Sequence, residues 1–367
     1  MEVRRKLLPD EMALFPAELA RIFDLFAAAG KEIYLVGGGV RSILLTKKPV
    51  NCDLTTDATP EEIQAITKEY EPYYENDFGT VGMAIGDDLP AGRQEVYEIT
   101  TYRSEKGYSD FRHPDQIVWG KTLAEDVTRR EFTISALVMS NHELIDLVGG
   151  LADFEEGIIR TVGDPEERFG EDALRMMRAI RLAATLSFRI EEKTLAAIGK
   201  KASLLANISR ERVRDELLKI IGTNYPADGV RLLISTGLME HIIPEILAAR
   251  GVDQTGHHTL DVLDHMLESL AGCPARDPLV RLATLLHDIG KPATKRYHCV
   301  NCGALIKQSD LVDDHLRCPK CQTEQATHAA TTFYGHEVIG ERMASKIADD
   351  LRLSAKDKAK LTTLVRW

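Results

Sequence analysis

Apolar residues recur along this chain with two different periods, and the change from one to the other divides the sequence. Up to about residue 150, short apolar runs typical of strands alternate with helical patterns. The predicted strands cover 32–36, 81–85, 95–102 and 143–147, and the predicted helices cover 16–29 and 60–69. Beyond Gly163 helical periods dominate, over 171–186, 192–205, 210–221, 228–236, 259–271, 278–287 and 335–350. The pattern predicts an α+β part followed by an all-α part with a polar insert at 297–323.

Length and composition fit a globular protein of two or three domains. The chain has 367 residues, of which 44% are hydrophobic and 28% are charged. No apolar run reaches the length of a membrane-spanning helix, so no membrane partner is predicted. The net charge of −11 means that any nucleic acid must be held by a local basic patch. The sequence stops at Trp367 inside a helical pattern, which suggests a fragment, and it leaves the oligomeric state open.

A glycine-rich turn after an apolar strand is the first candidate for chemistry. Tyr34-Leu-Val-Gly-Gly-Gly-Val-Arg41 is followed by Asn51-Cys-Asp53. Glycines let backbone N–H groups approach a phosphate, and a carboxylate can hold a divalent metal that bridges it. A strand places residues i and i+2 on one face, so Asn51 and Asp53 would both face that metal, with Asn offering a neutral carbonyl. The segment predicts a nucleoside-triphosphate site with Mg²⁺, in which Asp53 is the remaining carboxylate.

Four of the six cysteines form two Cys-x-x-Cys pairs. Cys299 and Cys302 are separated by fifteen residues from Cys318 and Cys321, which is the spacing of a zinc ribbon. Four thiolates close a tetrahedral Zn²⁺ site, and closed zinc sites are structural. Metal-bound thiolates in place of disulfides indicate a reducing compartment, and the predicted location is the cytoplasm.

A second metal centre is predicted near residue 288. Leu285-Leu-His287-Asp288-Ile-Gly-Lys291, with His265 upstream and Gly335-His336-Glu337 downstream, resembles an HD domain, a helical metal-dependent phosphohydrolase fold. His and Asp side chains around a divalent metal can activate water against a phosphoester. The resemblance implies that His265, His287, Asp288 and His336 hold a divalent metal, with a final ligand on a later helix.

Seven motifs follow one another in the first half of the chain. Besides the glycine turn they are Asp53-Leu-Thr-Thr-Asp-Ala-Thr-Pro-Glu-Glu62, Thr100-Thr-Tyr-Arg103, Tyr108-Ser-Asp-Phe-Arg112-His-Pro114, Asp126-Val-Thr-Arg-Arg130-Glu-Phe-Thr-Ile134, Gly163-Asp-Pro-Glu-Glu-Arg-Phe169 and Glu171-Asp-Ala-Leu-Arg175. In this order they resemble the class II tRNA nucleotidyltransferase and poly(A) polymerase family, the CCA-adding enzymes. The resemblance implies a nucleotidyltransferase head with a small mixed sheet at 1–150, a helical base-reading neck at 151–248, and an HD domain with the ribbon at 249–367.

The resemblance also implies a reaction and a set of binding residues. Such enzymes transfer CMP and AMP from CTP and ATP to the 3′ end of tRNA without a template, so tRNA, CTP and ATP are the expected partners. The chemistry is an in-line attack on an α-phosphate, and guanidinium groups match phosphate bidentately. The residues expected to bind nucleotide or RNA phosphate are Gly37, Gly38, Val40, Arg41, Arg103, Arg112, Arg129, Arg130, Arg178 and Arg181.

Base choice is expected from Asp172 and Arg175, which stand at i and i+3 of a predicted helix and so share a face. A carboxylate accepts hydrogen bonds and a guanidinium donates them. The pair complements the amino donor and ring-nitrogen acceptor of cytosine and adenine, and it rejects uracil and guanine. An ordinary helical ion pair is the alternative interpretation.

Three residues depart from the family's motifs on the predicted catalytic face. Asn51 and Ser42 stand where Asp is usual, and Ser135 stands where Asn is usual. Glu98, on the strand before Thr100, receives little weight as a further metal ligand. Two other functions therefore stay open. One is a tRNA-binding homologue with impaired catalysis, and the other is an HD phosphohydrolase with a vestigial head. Partial CCA addition and poly(A) addition are variants of the nucleotide-transfer reaction described above.

Overall fold

The chain is described by a computed structural model over residues 2–49, 51–76, 79–85, 95–106, 116–120, 122–254, 260–306, 311–312, 315–326 and 331–367. It divides into two compact units. The first comprises 1–175 and 188–197, and the second comprises 176–187 and 198–367. Strands belong mainly to the first unit and helices dominate the second, which confirms the predicted α+β organisation with a helical part.

The first unit combines a mixed sheet with short helices. Its strands are β1 (Val3–Lys6), β2 (Ile33–Val36), β3 (Cys52–Thr56), β4 (Tyr73–Asn76), β5 (Thr80–Ile85), β6 (Glu95–Thr101), β7 (Arg103–Lys106), β8 (Gln116–Trp119), β9 (Val138–Met139), β10 (Glu143–Asp146), β11 (Ile158–Ile159) and β12 (Arg189–Ile190). Its helices are α1 (Pro9–Met12), α2 (Ala17–Ala28), α3 (Gly38–Leu44), α4 (Pro60–Ile66), α5 (Leu123–Thr128), α6 (Gly150–Glu155) and α7 (Pro165–Glu171). By residue number, α8 (Leu174–Leu186) and α9 (Glu192–Lys201) continue into the second unit.

The main sheet has eight strands in the order β1-β10-β9-β2-β3-β6-β5-β4. Strand β3 runs antiparallel to β2 and parallel to β6. The cross-strand partners Leu35, Leu54 and Ile99 are fully buried in a core cluster that includes residues of α2. Because side chains alternate between the two faces of a sheet, the neighbouring row of partners points away from that core.

Local sequence explains where the helices begin and end. Helix α4 begins in a capping box, in which Glu62 N donates to Thr59 Oγ1 at 3.3 Å and Thr59 N donates to Glu62 Oε2 at 2.9 Å. The predicted helix over 171–186 is wrong at its start. Asp172 has extended backbone angles (φ −138°, ψ 106°), and its Oδ1 accepts a hydrogen bond from Leu174 N at 3.0 Å. The Asp side chain competes for the backbone, ends α7 and begins α8.

The second unit is built from helices and one cysteine-bearing insert. Its further helices are α10 (Arg210–Ile221), α11 (Pro226–Ser235), α12 (Val262–Gly272), α13 (Pro278–Leu286), α14 (Lys291–Thr294), α15 (His336–Asp350) and α16 (Ala355–Arg366). The insert contains β13 (Arg296–His298), β14 (Leu305–Ile306), β15 (Leu311–Val312), β16 (His315–Arg317), β17 (Glu324–Ala326) and β18 (Thr331–Thr332). Among the described residues, no helix combines the length and the apolar character that crossing a membrane requires.

Candidate functional site

The glycine turn joins β2 to α3 and lies beside the carboxylate of Asp53. Gly37 has a left-handed backbone (φ +62°), which a side chain would strain. A Cβ atom at this position would lie 3.6 Å from Asp53 Oδ2, and one on Gly38 would lie 4.0 Å from an Arg41 guanidinium nitrogen. Val40 is fully buried and anchors α3 in the core. The turn therefore brings backbone without side chains close to a carboxylate and a guanidinium.

Asp53 shares its face of the sheet with Glu98. In the parallel register of β3 and β6 the two residues are direct partners, and both stand in the row that points away from the core formed by Leu54 and Ile99. Neighbouring strands lie about 4.8 Å apart, so the two carboxylates can reach one ion. The register between the strands assigns Glu98 to this face, and the local sequence alone gave no strong indication of it.

Asn51 does not stand on the strand with Asp53, contrary to the expected alternation. It precedes β3 with a left-handed backbone (φ +52°), and its Oδ1 accepts a hydrogen bond from Val96 N at 3.3 Å. Asn tolerates this backbone region better than most residues because its short side chain bonds locally. Asn51 therefore fastens the entry of β3 to β6.

Hydrogen bonds hold Arg41 and two residues that depart from the family motifs, Ser42 and Ser135. A terminal nitrogen of Arg41 donates to Ser135 Oγ at 2.9 Å, so residue 135 orients this guanidinium. Ser42 Oγ donates to Gly38 O at 3.0 Å, within the turn of α3 that follows the glycines. In this chain, both serines stabilise the arrangement around the glycine turn.

Arg129 and Arg130 converge on a carboxylate that the sequence did not single out. The side chain of Asp126 is fully buried and forms ion pairs with both guanidinium groups, at 2.7 Å for Arg130. It also accepts a hydrogen bond from Thr55 Oγ1 of β3 at 3.1 Å. Burial opposes the charge of Asp126, but the charges of Arg130 and Arg129 prevail and lower its pKa to about 2. The trio keeps a net positive charge and ties α5 to the strand of Asp53.

The buried carboxylate of Asp126 should make the first unit less stable at acid pH. Because the pKa of Asp126 falls from 3.8 to about 2 on folding, its contribution is full above about pH 4 and is lost as the pH falls towards 2. The expected loss is about 2 kcal/mol in the free energy of unfolding. Hydrogen exchange in peptides of α5 and β3 between pH 2 and 5 would measure it. The exposed Asp24→Asn should keep the wild-type profile. If hydrogen exchange in Asp126→Asn depended on pH as it does in the wild type, this assignment would be contradicted.

Asp172 and Arg175 are both buried, and they lie where α7 ends and α8 begins. Arg175 forms an ion pair with Glu171 and donates to Arg168 O at 3.2 Å, and Arg168 reaches the same Glu171 carboxylate at 3.1 Å. Asp172 caps the start of α8. The role of these two side chains in base choice stays a prediction. Glu171, which lies in the same motif, is the residue that holds Arg175.

The remaining arginines are spread over several elements. Arg103 begins β7, where it is paired with Trp119 of β8, and Arg112 lies outside the described residues. In the second unit Arg178 is half-buried, and Arg181 forms an ion pair with the buried Glu216. Arg181 also lines a cleft of about 460 Å³, together with Thr185, Leu218, Lys219, Gly222, Thr223, Asn224 and Pro278.

The predicted residues of the HD motif come together in the second unit. His265 lies on α12, His287 and Asp288 follow α13, and His336 is the first residue of α15. The Nε2 atoms of His265 and His287 lie 3.2 Å apart, and they lie 3.4 and 3.2 Å from Asp288 Oδ2. His336 Nε2 lies 3.5 Å from Asp288 Oδ1. Three of these residues form one of the two groups of potential metal ligands found among the described residues.

Packing and charge define the shape of this cluster. Helix α15 begins against the turn that follows Asp288, where a Cβ atom on Gly290 would collide with the carbonyl of His336. Burial opposes the charge of Asp288, but the hydrogen bond and charge of His287, together with Lys291, lower its pKa to about 2. Burial also opposes the charge of His287, yet its bond to Asp288 raises the pKa of the imidazole. The cluster therefore places one carboxylate among three imidazoles, a set of donor groups that suits a divalent metal.

The four cysteines of the two Cys-x-x-Cys pairs form the other group. Cys299 Sγ lies 3.5 Å from Cys321 Sγ, Cys302 Sγ lies 3.5 Å from Cys318 Sγ, and all four sulfurs are within 4.8 Å of one another. Tetrahedral zinc with Zn–S bonds of about 2.3 Å requires sulfurs about 3.8 Å apart. The cluster is therefore of the size that zinc needs.

Both cysteine pairs adopt the same backbone turn. Gly303 N donates to Cys299 O at 2.8 Å, and Gln322 N donates to Cys318 O at 2.9 Å. Gly303 and Gln322 occupy equivalent positions, and both have a left-handed backbone, with φ of +70° and +59°. In the second turn Cys318 Sγ accepts hydrogen bonds from the N–H groups of Lys320 and Cys321, both at 3.4 Å. Such bonds are typical of N–H groups that hold a metal-binding cysteine sulfur in place.

Comparison with known proteins agrees with this geometry. Residues 33–160 match the poly(A) polymerase head domain, residues 187–250 match a domain described as a probable RNA and SrmB-binding site of polymerase A, and residues 255–365 match the HD domain. The CCA-adding enzyme of Lactiplantibacillus plantarum is 44% identical over 222 residues, which cover 60% of this chain and 53% of that enzyme. The CCA-adding enzyme of Pediococcus pentosaceus is 41% identical, over 70% of this chain and 62% of that enzyme.

Solved structures share the fold. The Bacillus stearothermophilus CCA-adding enzyme in complex with CTP is 30% identical, with a TM-score of 0.60 over 78% of this chain and 65% of that one. The Thermotoga maritima CCA-adding enzyme complexed with tRNA is 19% identical, with a TM-score of 0.62 over 100% of this chain and 83% of that one, and it shows similarity of fold alone. The chain spans little more than half the length of the first curated relatives that it matches, 53% and 56%.

A poly(A) polymerase head followed by an RNA-binding segment and an HD domain defines a nucleotidyltransferase-type protein. Within that class, the three matched domains and the similar CCA-adding enzymes are those of the class II tRNA nucleotidyltransferase and poly(A) polymerase family.

Proposed function

We propose that the chain adds CMP and AMP, from CTP and ATP, to the 3′ end of tRNA, with Mg²⁺ bound in the head. The observation that carries the proposal is the row of cross-strand partners that assigns Asp53 and Glu98 to one face of the sheet, beside the glycine turn. The matched head domain and the relatives named as CCA-adding enzymes support the same reaction.

The residues of the head fit this chemistry. Asp53 and Glu98 would hold the metal, since hard cations prefer carboxylate oxygens and Gly37 leaves room beside Asp53. When bound, the metal neutralises charge on the reacting phosphate oxygens. The N–H groups of the glycine turn face the triphosphate, and Arg41, fixed by Ser135, contributes positive charge. Replacement of the usual Asp by Asn51 lowers the negative charge of the site, so weaker metal binding is expected.

The deciding assay uses tRNA that lacks its 3′ CCA, labelled CTP and ATP, and Mg²⁺ or Mn²⁺. We expect CMP and then AMP to be incorporated, with no incorporation from UTP or GTP. Addition of AMP alone or CMP alone would indicate a partial reaction. Binding of the tRNA without any incorporation would replace this proposal with that of a tRNA-binding homologue.

We also propose that the four cysteines bind a structural zinc and that the protein acts in the reducing cytoplasm. Purified protein should contain tightly held zinc, because four clustered thiolates bind it with a large free energy that is coupled to local folding. Cys302→Ser should lose that zinc and make the insert sensitive to protease, whereas Cys273→Ser, outside the cluster, should keep it. Elemental analysis and limited proteolysis measure both effects. Wild-type protein without zinc, and with all four thiols open to alkylation, would exclude the site.

A second function is favoured by the cluster of His265, His287, Asp288 and His336. Its residues fit a divalent transition metal, which when bound lowers the pKa of a water molecule for attack on a phosphoester. Hydrolysis of bis(p-nitrophenyl) phosphate with Mn²⁺ or Ni²⁺ tests this activity. It should disappear in His287→Ala and persist in Asp53→Asn. Equal rates in wild type and His287→Ala would exclude this phosphohydrolase function.

A further inference from the structure

One short stem joins the zinc ribbon to the HD cluster. Strand β13 begins just after α14 and pairs antiparallel with β18, with Arg296 opposite Thr332 and Tyr297 opposite Thr331. His298 Nε2 and Thr332 Oγ1, also from the two strands, lie 3.0 Å apart. The first residue of α14 is Lys291, and β18 leads directly into Phe333. Both strands of the stem therefore connect to residues of the HD cluster.

Phe333 contacts two groups that face Asp288. Its carbonyl oxygen lies 2.9 Å from Nδ1 of His336 and accepts a hydrogen bond from it, which fixes the ring with Nε2 facing Asp288. Its ring lies 5.5 Å from the ammonium of Lys291, within the range of a cation–π contact. Lys291 Nζ is in turn 2.7 Å from Asp288 Oδ2 and donates to Gln254 Oε1 at 2.6 Å.

The other end of the stem depends on the cysteine cluster. Tyr297 of β13 packs in a small core with Ile306, Cys299 and Cys318. Two of these four residues are cysteines of the cluster, so little apolar surface holds this core without metal. Zinc binding supplies the folding free energy of such small cysteine-bearing modules. The ribbon is thus expected to be ordered with zinc and loosened without it.

We propose that zinc in the ribbon regulates the HD centre by positioning His336 and Lys291 through Phe333. This inference rests on the zinc site and on the HD metal site that are both proposed above. Loss of zinc loosens β13 and β18, releases Phe333, and lowers the affinity of the HD cluster for its divalent metal. Because coupling between two binding sites is reciprocal, metal in the HD cluster raises the affinity of the ribbon for zinc by the same factor.

The test titrates the full zinc-loaded chain with Mn²⁺ and follows free Mn²⁺ by electron paramagnetic resonance. The sites that disappear in His287→Ala belong to the HD centre. Cys302→Ser should weaken Mn²⁺ binding at these sites by about 10- to 100-fold, the usual effect of losing a residue that orients a metal ligand. His298→Ala keeps the cysteines and breaks the stem contact with Thr332, so a smaller loss of affinity is expected. Leu305→Ala, which alters a ribbon side chain that is 51% exposed, should have no effect.

Three controls distinguish the outcomes. Far-UV circular dichroism and nucleotide addition by the head confirm that each variant is folded. Chelator competition for zinc, with and without Mn²⁺, measures the reciprocal effect, which should equal the change in Mn²⁺ affinity. If wild type has no Mn²⁺ site that depends on His287, the HD metal centre and this inference both fail. If that site exists and Cys302→Ser and His298→Ala bind Mn²⁺ as wild type does, only the coupling is overturned.

Discussion

Replacing Asp53 with Asn should reduce nucleotide addition to tRNA by about a thousandfold or more while leaving the fold intact. On the row of β3 and β6 that points away from the core, and that is proposed above to hold the metal, the carboxylates are those of Asp53 and Glu98. Removing one charge weakens both metal binding and the stabilisation of the reacting phosphate, and a loss of about 4 kcal/mol corresponds to this factor. Asp53 is exposed, so little stability should be lost. Single-turnover incorporation of labelled CMP, at saturating tRNA, measures the effect.

The matched variant is Asn51→Asp, which adds a charge at the position where the family carries Asp. An Asp tolerates the left-handed backbone and can keep the bond to Val96 N through one oxygen, leaving the other for the metal. Nucleotide addition should rise, most clearly at low Mg²⁺. Retention of the wild-type rate in Asp53→Asn would place the metal elsewhere. A fast wild-type reaction that Asn51→Asp does not change would show that residue 51 has no part in metal binding.

Arg175→Ala should reduce discrimination against UTP and GTP by about a hundredfold or more, in addition to any loss of rate. If Arg175 hydrogen-bonds the edge of the base, its removal leaves that edge unpaired. The loss of such a hydrogen bond changes nucleotide selectivity more than the loss of an apolar contact does. The protein should still fold, because Arg168 keeps its own ion pair with Glu171. Incorporation from each of the four nucleotides, compared as kcat/KM, measures the change.

The control for this prediction is Arg181→Ala, which alters an arginine of the same helix whose partner is Glu216 in the second unit. It should weaken tRNA binding and leave the order of nucleotide preference unchanged. Wild-type selectivity in Arg175→Ala, with UTP and GTP still rejected, would assign base reading to other residues.

The sequence predicted most elements of the fold because hydrophobic period and turn residues act locally. Pro60 after Thr59 marks the start of α4. The predicted strand at 81–85 lies within β5, and the predicted strand at 143–147 extends one residue beyond β10. The two Cys-x-x-Cys pairs predicted the cysteine cluster, since each pair folds into its turn almost independently. The HD residues also came together as the resemblance implied.

The errors concern residues whose partners lie far away in sequence or whose side chains compete with the backbone. Asn51 was expected on a strand, but its bond to Val96 ties it to β6 in a left-handed conformation. Asp172 was expected inside a helix, yet its carboxylate caps the next one. The importance of Asp126 on α5 depends on three partners, of which Thr55 lies on β3, 71 residues earlier in the sequence. The hydrophobic period and the helix or strand propensity of a segment carry no information about partners that lie far away in the sequence.

The antiparallel pairing of β13 with β18 has an evolutionary consequence. The chain leaves the HD domain and returns to it at neighbouring points, so everything between the two strands is an insertion with adjacent ends. Segments of this kind can be gained, lost or exchanged without lengthening the path between the elements that flank them. Helices α14 and α15, which carry Lys291 and His336, could therefore be joined by a plain hairpin in one lineage and by a metal-binding module in another.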